Sequence, residues 1–186
     1  MAATNTGAKL KYNLAGRTSG ILRTFIIDDT KTVTVGDFVI AGTTKFIGLA
    51  TAGVPLLGVV VGIVDKNGIN MDTSKYSLAQ ATWTSSTKTV VTGAANSTGD
   101  QISAIIDIDP FSVWSVEPDG TINTTSSSGK CGFLGSYVDL ADEDEVDETN
   151  NSAAYNVKAQ LFCWGLDPED STRGLYSIAE HQIWGA

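Results

Sequence analysis

Carboxylates are the chemistry this sequence carries in quantity, with 21 Asp and Glu against 12 Lys and Arg, one histidine and two cysteines. Asp107 and Asp109 stand at alternate positions where an apolar segment ends, and a strand there would put both on one face. Such a pair could serve glycoside hydrolysis, but nothing around it indicates a substrate cleft. The second concentration is Asp139 to Glu148, DLADEDEVDE, and hard cations such as calcium want several oxygen ligands. Counted from Asp142, however, Val146 occupies the third ligand position of an EF-hand and no glycine follows at the turn, so the run reads as solvated loop. His181 would have to serve any catalytic triad, yet no Gly-x-Ser-x-Gly turn presents a nucleophile. It reads as a surface or hydrogen-bonding residue. Cys131 and Cys163 have no zinc spacing and read as two buried thiols. Trp83, Trp114, Trp164 and Trp184 could form a sugar-stacking platform, although tryptophans in a β protein of this size serve more often as core or interface anchors. No phosphate-binding glycine loop is present. The expectation is a protein without catalytic residues, cofactor or metal.

Charge is distributed unevenly along the chain. Before Asp28 the charged side chains are Lys9, Lys11, Arg17 and Arg23, which leaves eight of the 12 basic residues against all 21 acidic ones, a net of −13 for the remainder. A basic arm thus precedes an acidic body. Four cations would release few counterions from nucleic acid, and the body would repel phosphate, so nucleic acid is not expected as a partner. Docking of the arm on an acidic protein surface, such as that of a neighbouring copy, fits better than nucleic acid, with a flexible tail as the alternative. Within the arm Leu10, Tyr12 and Leu14 alternate and could add a strand to a partner. No apolar run is long enough for a membrane span, and Met1 to Gly16 lacks a signal-peptide core, which places the protein in a cytoplasm until it is assembled.

The elements that must position these residues read as strands throughout. With 19 glycines, four prolines and abundant Ser, Thr and Asn, the composition suits many short strands joined by turns. Thr32 to Val64 is the densest β-branched stretch and should organise the fold. Strands are predicted at Ile21–Ile27, Lys31–Val35, Phe38–Ile40 after a bend at Gly36-Asp37, Lys45–Ala50 and Leu56–Val64, the last buried on both faces. Asp65-Lys66-Asn67-Gly68 predicts a type I′ hairpin into Ile69–Met71. Lys75–Trp83, Thr87–Thr92 and Gln101–Asp107 follow, with Tyr76, Leu78, Val90 and Val91 as core candidates. A composition change near residue 108 then suggests a boundary. Beyond it Phe111–Val116, a return strand at Thr121–Thr124 after Pro118-Asp119-Gly120, Cys131–Val138, Ala154–Trp164 and Leu175–Trp184 complete the pattern. The predicted fold is all-β, a sandwich or barrel-like body of two small β subdomains with an extended N-terminal arm: 1–23 the arm, 24–108 a barrel-like domain, 109–186 a second β domain.

Two segments resemble the capsid decoration, or cement, proteins of tailed phages. One is Val35-Gly36-Asp37-Phe38-Val39 with Gly58 to Val64, similar to paired glycine- and valine-rich strands of small decoration folds. The other runs from Trp164-Gly165-Leu166-Asp167-Pro168-Glu169-Asp170 through Gly174 to Ile178-Ala179-Glu180-His181-Gln182, with Phe111 to Leu140 as the start of the same module. Together they span about half the chain. The resemblance implies a structural virion protein on the outer capsid surface, assembled in the host cytoplasm, with the major capsid protein and itself as partners, as a homotrimer before a dimer. It implies no active site. Lys9, Lys11, Tyr12, Arg17 and Arg23 are the residues expected at the capsid or subunit interface, and deleting residues 1–23 should remove shell binding while sparing the β fold. The rival reading is a glycan-binding module or a structural β module of a phage tail or baseplate.

Overall fold

The computed structural model describes residues 7–42, 46–73, 81–93, 101–122, 134–152 and 159–183, with backbone alone for 73 and 148–152. Lys45, Tyr76, Leu78, Cys131, the segment 153–158 and Trp184 fall outside them. The chain is all-β, and a single turn of 3-10 helix at Met71–Thr73 is its one helical element among the described residues.

Strands β1 (Lys9–Asn13), β2 (Leu22–Ile27), β3 (Thr32–Thr34), β4 (Phe38–Ala41), β5 (Phe46–Leu49) and β6 (Gly58–Val64) lead to β7 (Ala81–Thr84), β8 (Thr89–Thr92) and β9 (Ser103–Asp107). Of these, β2-β5-β4-β6-β9 close into a barrel, and β3-β8-β7 form a small sheet beside it. The remaining strands are β10 (Ser112–Pro118), β11 (Tyr137–Leu140), β12 (Glu145–Ser152), β13 (Leu161–Asp167) and β14 (Asp170–Ile178). They pair in the order β10-β12-β11-β13-β14, and a β10–β14 pairing brings the two ends together into a second ring. The first strand of the chain, β1, pairs antiparallel with β10 and so belongs to this second ring.

The two rings share hydrophobic side chains. Phe38 and Val59 lie in the core of the second ring with Trp114, Val138, Leu161 and Tyr176. Their neighbours Val39 and Val60 lie in the first barrel's core with Ile27, Ile47 and Ile106. Alternate residues of β4 and β6 therefore feed different cores, because side chains along a strand point to opposite faces. Both faces being covered is why Leu56–Val64 is a nearly continuous apolar run. The organising role expected for Thr32–Val64 has its cause here.

Several local expectations need correction. The Asp65–Gly68 turn forms, with Gly68 N donating to Asp65 O at 2.9 Å, but Gly68 (φ 75°) has the positive φ and Asn67 does not. A type I′ turn needs both, so this is a type I turn followed by a left-handed glycine. The Asp65 carboxylate accepts from Asn67 N and Ile69 N and holds it. The return strand is one bridge, Val64 to Asn70, before the chain turns into 3-10 helix. No strand starts at Thr121 or Ile122, since Asp119 N bonds instead to Val146 O and draws the chain towards β12. The acidic run is not solvated loop throughout: Asp139 and Leu140 are buried in β11, and Glu145 opens β12 with Val146 fully buried. One apolar residue placed in a core outweighs the local charge.

Candidate interaction surface

β1 is an added strand of the second ring, and its anchoring begins with its polar side chains. Lys11 Nζ lies 2.6 Å from Glu169 Oε2 and 2.9 Å from Asp167 Oδ2, at the tip of the β13–β14 hairpin. Hydrogen bonding to Glu169 and then to Asp167 raises the Lys11 pKa. Burial opposes ionisation of Asp167, but hydrogen bonds from Ser115 and Lys11 outweigh it and hold the carboxyl below its usual value. Asn13 and Arg17 both donate to Asp109 Oδ2, at 2.9 and 2.7 Å. Phe111 N donates to Oδ1 at 3.0 Å. These bonds likewise overcome burial and lower the Asp109 pKa.

Arg173 supplies the third anchor. Its guanidinium, with a side chain 3% exposed, donates to Gly7 O and Ser115 O at 2.8 Å each, to Ser115 Oγ at 3.0 Å and to Glu117 at 3.2 Å. On the other side Ala8 N donates to Gly36 O of the first barrel at 2.9 Å. Gly36 sits at φ 111°, and a Cβ there would come within 2.9 Å of Gly7 Cα, so the bend and the arm fit each other only with glycine.

The expected interface residues thus separate. Lys11 and Arg17 are held by carboxylates of the same chain, which supply the acidic surface anticipated for the arm. Arg23 donates to the carbonyl of Leu22 at the start of β2. Lys9 and Tyr12 are exposed, and with Leu10, Tyr12 and Leu14 at 41, 44 and 46% exposure they make an outward stripe on a seated strand. No strand covers the second edge of β1 among the described residues. The anchors Asn13, Asp109, Asp167 and Arg173 were not singled out from the sequence as holding the arm; only the unpaired surplus of carboxylates in the body pointed that way. Removal of residues 1–23 would take away β1 and the first two residues of β2, so a deletion that spares the fold is not to be expected.

The residues with catalytic types are engaged elsewhere. Asp107 is 2% exposed, accepts from Ser112 Oγ at 2.6 Å and from Asp109 N at 3.0 Å, and Gly20 packs directly on its carboxylate. Burial raises its pKa. Asp109 lies beyond the end of β9, so the two carboxyls do not project as a pair from one strand face. They fix the crossover between the barrels. His181 is buried at 3% exposure rather than on the surface, accepts from Ile183 N at 3.1 Å, and has its pKa lowered by burial. Among the described residues no group of three or more His, Cys, Asp or Glu could hold a metal ion. Trp114 is core and Trp83 half-buried, whereas Trp164 is 37% exposed and edge-to-face with Phe162, which meets Tyr137 in the same way. Cys163 is a buried thiol.

Comparison with protein-family models, curated proteins and solved structures returns no match.

Proposed function

We propose that this chain is a structural virion protein that binds the outside of a phage capsid lattice as a cement or decoration protein, with the major capsid protein and further copies of itself as partners. The observation that carries the reading is β1, held through Lys11 on the buried carboxylate of Asp167 and, just beyond the strand, through Arg17 on that of Asp109, which leaves Leu10, Tyr12 and the following Leu14 exposed beside Lys9. A strand already ordered loses little conformational entropy when a partner covers it. Repeated across a lattice, a modest contact of this size gains strength by avidity. The test is sedimentation of the purified protein with phage heads lacking it, with a stained gel of particles for copy number. High stoichiometry is expected for the wild type, and at least a tenfold loss for the double variant Leu10→Glu with Tyr12→Ser, which should remain folded. Unchanged occupancy refutes the role of β1; no wild-type binding refutes the reading, and a low copy number points to a tail or baseplate component.

The Tyr137–Phe162–Trp164 ridge favours a second reading, a glycan-binding module. Trp164 Nε1 donates to Ser177 Oγ at 2.9 Å, which fixes the indole with part of its surface outward. Tryptophan fluorescence titrated with a broad glycan panel would shift in the wild type and not in Trp164→Ala if this reading holds. No shift removes it.

A further inference from the structure

The seam between the two barrels contains a contact that neither reading of function uses. The loop between β11 and β12, residues 141–144, belongs to the second ring. It sits on the Gly36-Asp37 bend of the first barrel, where Phe38 N donates to Glu143 O at 2.6 Å. Asp37 lies under it, 4% exposed, with one carboxylate oxygen accepting from Thr34 N at 2.7 Å. Acidic side chains therefore meet across the joint, those of Asp142, Glu143 and Asp144 on one side and Asp37 on the other. We propose that this joint is a proton-held latch: loop 141–144 stays seated on the Asp37 bend while carboxyls in the seam keep their protons, and lifts as they ionise.

The groups around the joint are acidic on each element that meets it. The loop brings Asp142, Glu143 and Asp144, Glu145 begins β12, and Glu117 and Asp119 lie at the end of β10; Asp119 and Glu117 act on Glu145. From the first barrel and the arm, Thr34, Val60 and Ala8 contribute neutral groups. Arg173 on β14 is engaged with Glu117, Ser115 and Gly7, and Lys88 reaches this region by its backbone carbonyl, which accepts from Val35 N. Among the described residues no cation pairs with Asp37 or Glu143. Burial, opposed by the hydrogen bond from Thr34 N and reinforced by the charges of Glu143, Asp144 and Asp142, pushes the Asp37 carboxyl up to about 8. Burial and Asp142 push Glu143 up to about 7.

The direction follows from linkage. A carboxyl whose pKa is raised when the latch is closed binds its proton more tightly in that state, so closing is favoured at low pH and weakens as pH rises from the open-state value to the closed-state one. For Asp37 that window runs from its ordinary 3.8 up to about 8. Each pH unit inside the window changes the open-to-closed ratio by about tenfold per proton.

Amide hydrogen exchange on the full chain, corrected for the intrinsic rate, reads this directly at Phe38. Between pH 5 and pH 8 its protection should fall by up to about 1,000-fold. The fall should be much smaller in Asp37→Asn, and reduced in Glu143→Gln, which alters a half-buried loop residue and serves should the first variant not fold. Opening of the latch alone also requires Phe38 to exchange at least tenfold faster, relative to intrinsic rates, than Ile106 in the middle of β9. Constant protection of Phe38 across this range overturns the proposal. So does an undiminished fall in the variants, or protection equal to that of Ile106 at every pH, which would mean that only global unfolding exposes the seam.

Discussion

Replacing Arg173 by Met should release the arm, and the size of the effect can be worked from its contacts. The guanidinium is the donor for two backbone carbonyls, Gly7 O and Ser115 O, and for Ser115 Oγ, in a site where its side chain is 3% exposed. Met fills much of the volume but donates nothing. Each buried carbonyl left without a donor costs about 1 to 3 kcal/mol. Glu117 is 38% exposed at its side chain and regains water, so its loss adds little. The sum is about 3 to 5 kcal/mol, in line with breaking a buried ionic cluster by removing one partner. For a chain of this length that corresponds to a fall in Tm of about 10 °C. Urea and thermal unfolding give the total, and hydrogen exchange at Ala8, whose amide donates to Gly36 O, tells whether the arm leaves first. A loss under about 1 kcal/mol, or an arm whose protection is unchanged relative to β9, would refute the argument that Arg173 pins β1.

Other outcomes follow from the same contacts. Asp109 and Asp167 have lowered pKa values, so their stabilisation is present above the unfolded-state value and disappears as pH falls through the folded one; scanning from pH 6 to pH 3, protection at Ala8 should be lost before that at Ile106. Gly36→Ala forces a side chain into φ 111° and against Gly7 Cα, and should cost about 2 kcal/mol or more in urea unfolding, with the arm loosened. Phe38→Ala empties a position in the shared core and should cost about 3 to 5 kcal/mol. Because Phe38 and Val39 join the two cores, calorimetry should still show one transition, lowered as a whole, and two separated transitions would refute the sharing of cores.

Much of the strand pattern was legible because it rests on local chemistry. The Gly58–Val64 run is apolar at successive positions and free of charge, which only a strand covered on both faces explains, and β6 is such a strand. The Ile21–Ile27 and Gln101–Asp107 predictions lie within two residues of β2 and β9. The failures came where a distant partner decided the outcome. The acidic run 139–148 has the charge of a loop, yet Val146 pairs with Leu140 and Pro118 and is buried, so its neighbours become strand. His181 reads as a surface or hydrogen-bonding residue near the end of the sequence; it does accept a hydrogen bond, from Ile183 N, but the segment around it pairs with Leu56 and buries it.

The sequence by itself determined the class of the protein and the asymmetry of its charge. Periodicity of two, turn residues and β-branched composition are properties of neighbouring positions, and they were enough for strands such as β2, β6 and β9. A basic arm and a surplus of carboxylates in the body likewise required only counting. The tertiary structure decided where the arm goes and which carboxylates receive it. Asp109 and Asp167 meet Arg17 and Lys11 across 92 and 156 positions, and Arg173 meets Gly7 across 166. No local pattern encodes those separations. They arise because β10 and β14 close the second ring around a core shared with β4 and β6, and that closure brings β1 beside residues near the other end of the chain.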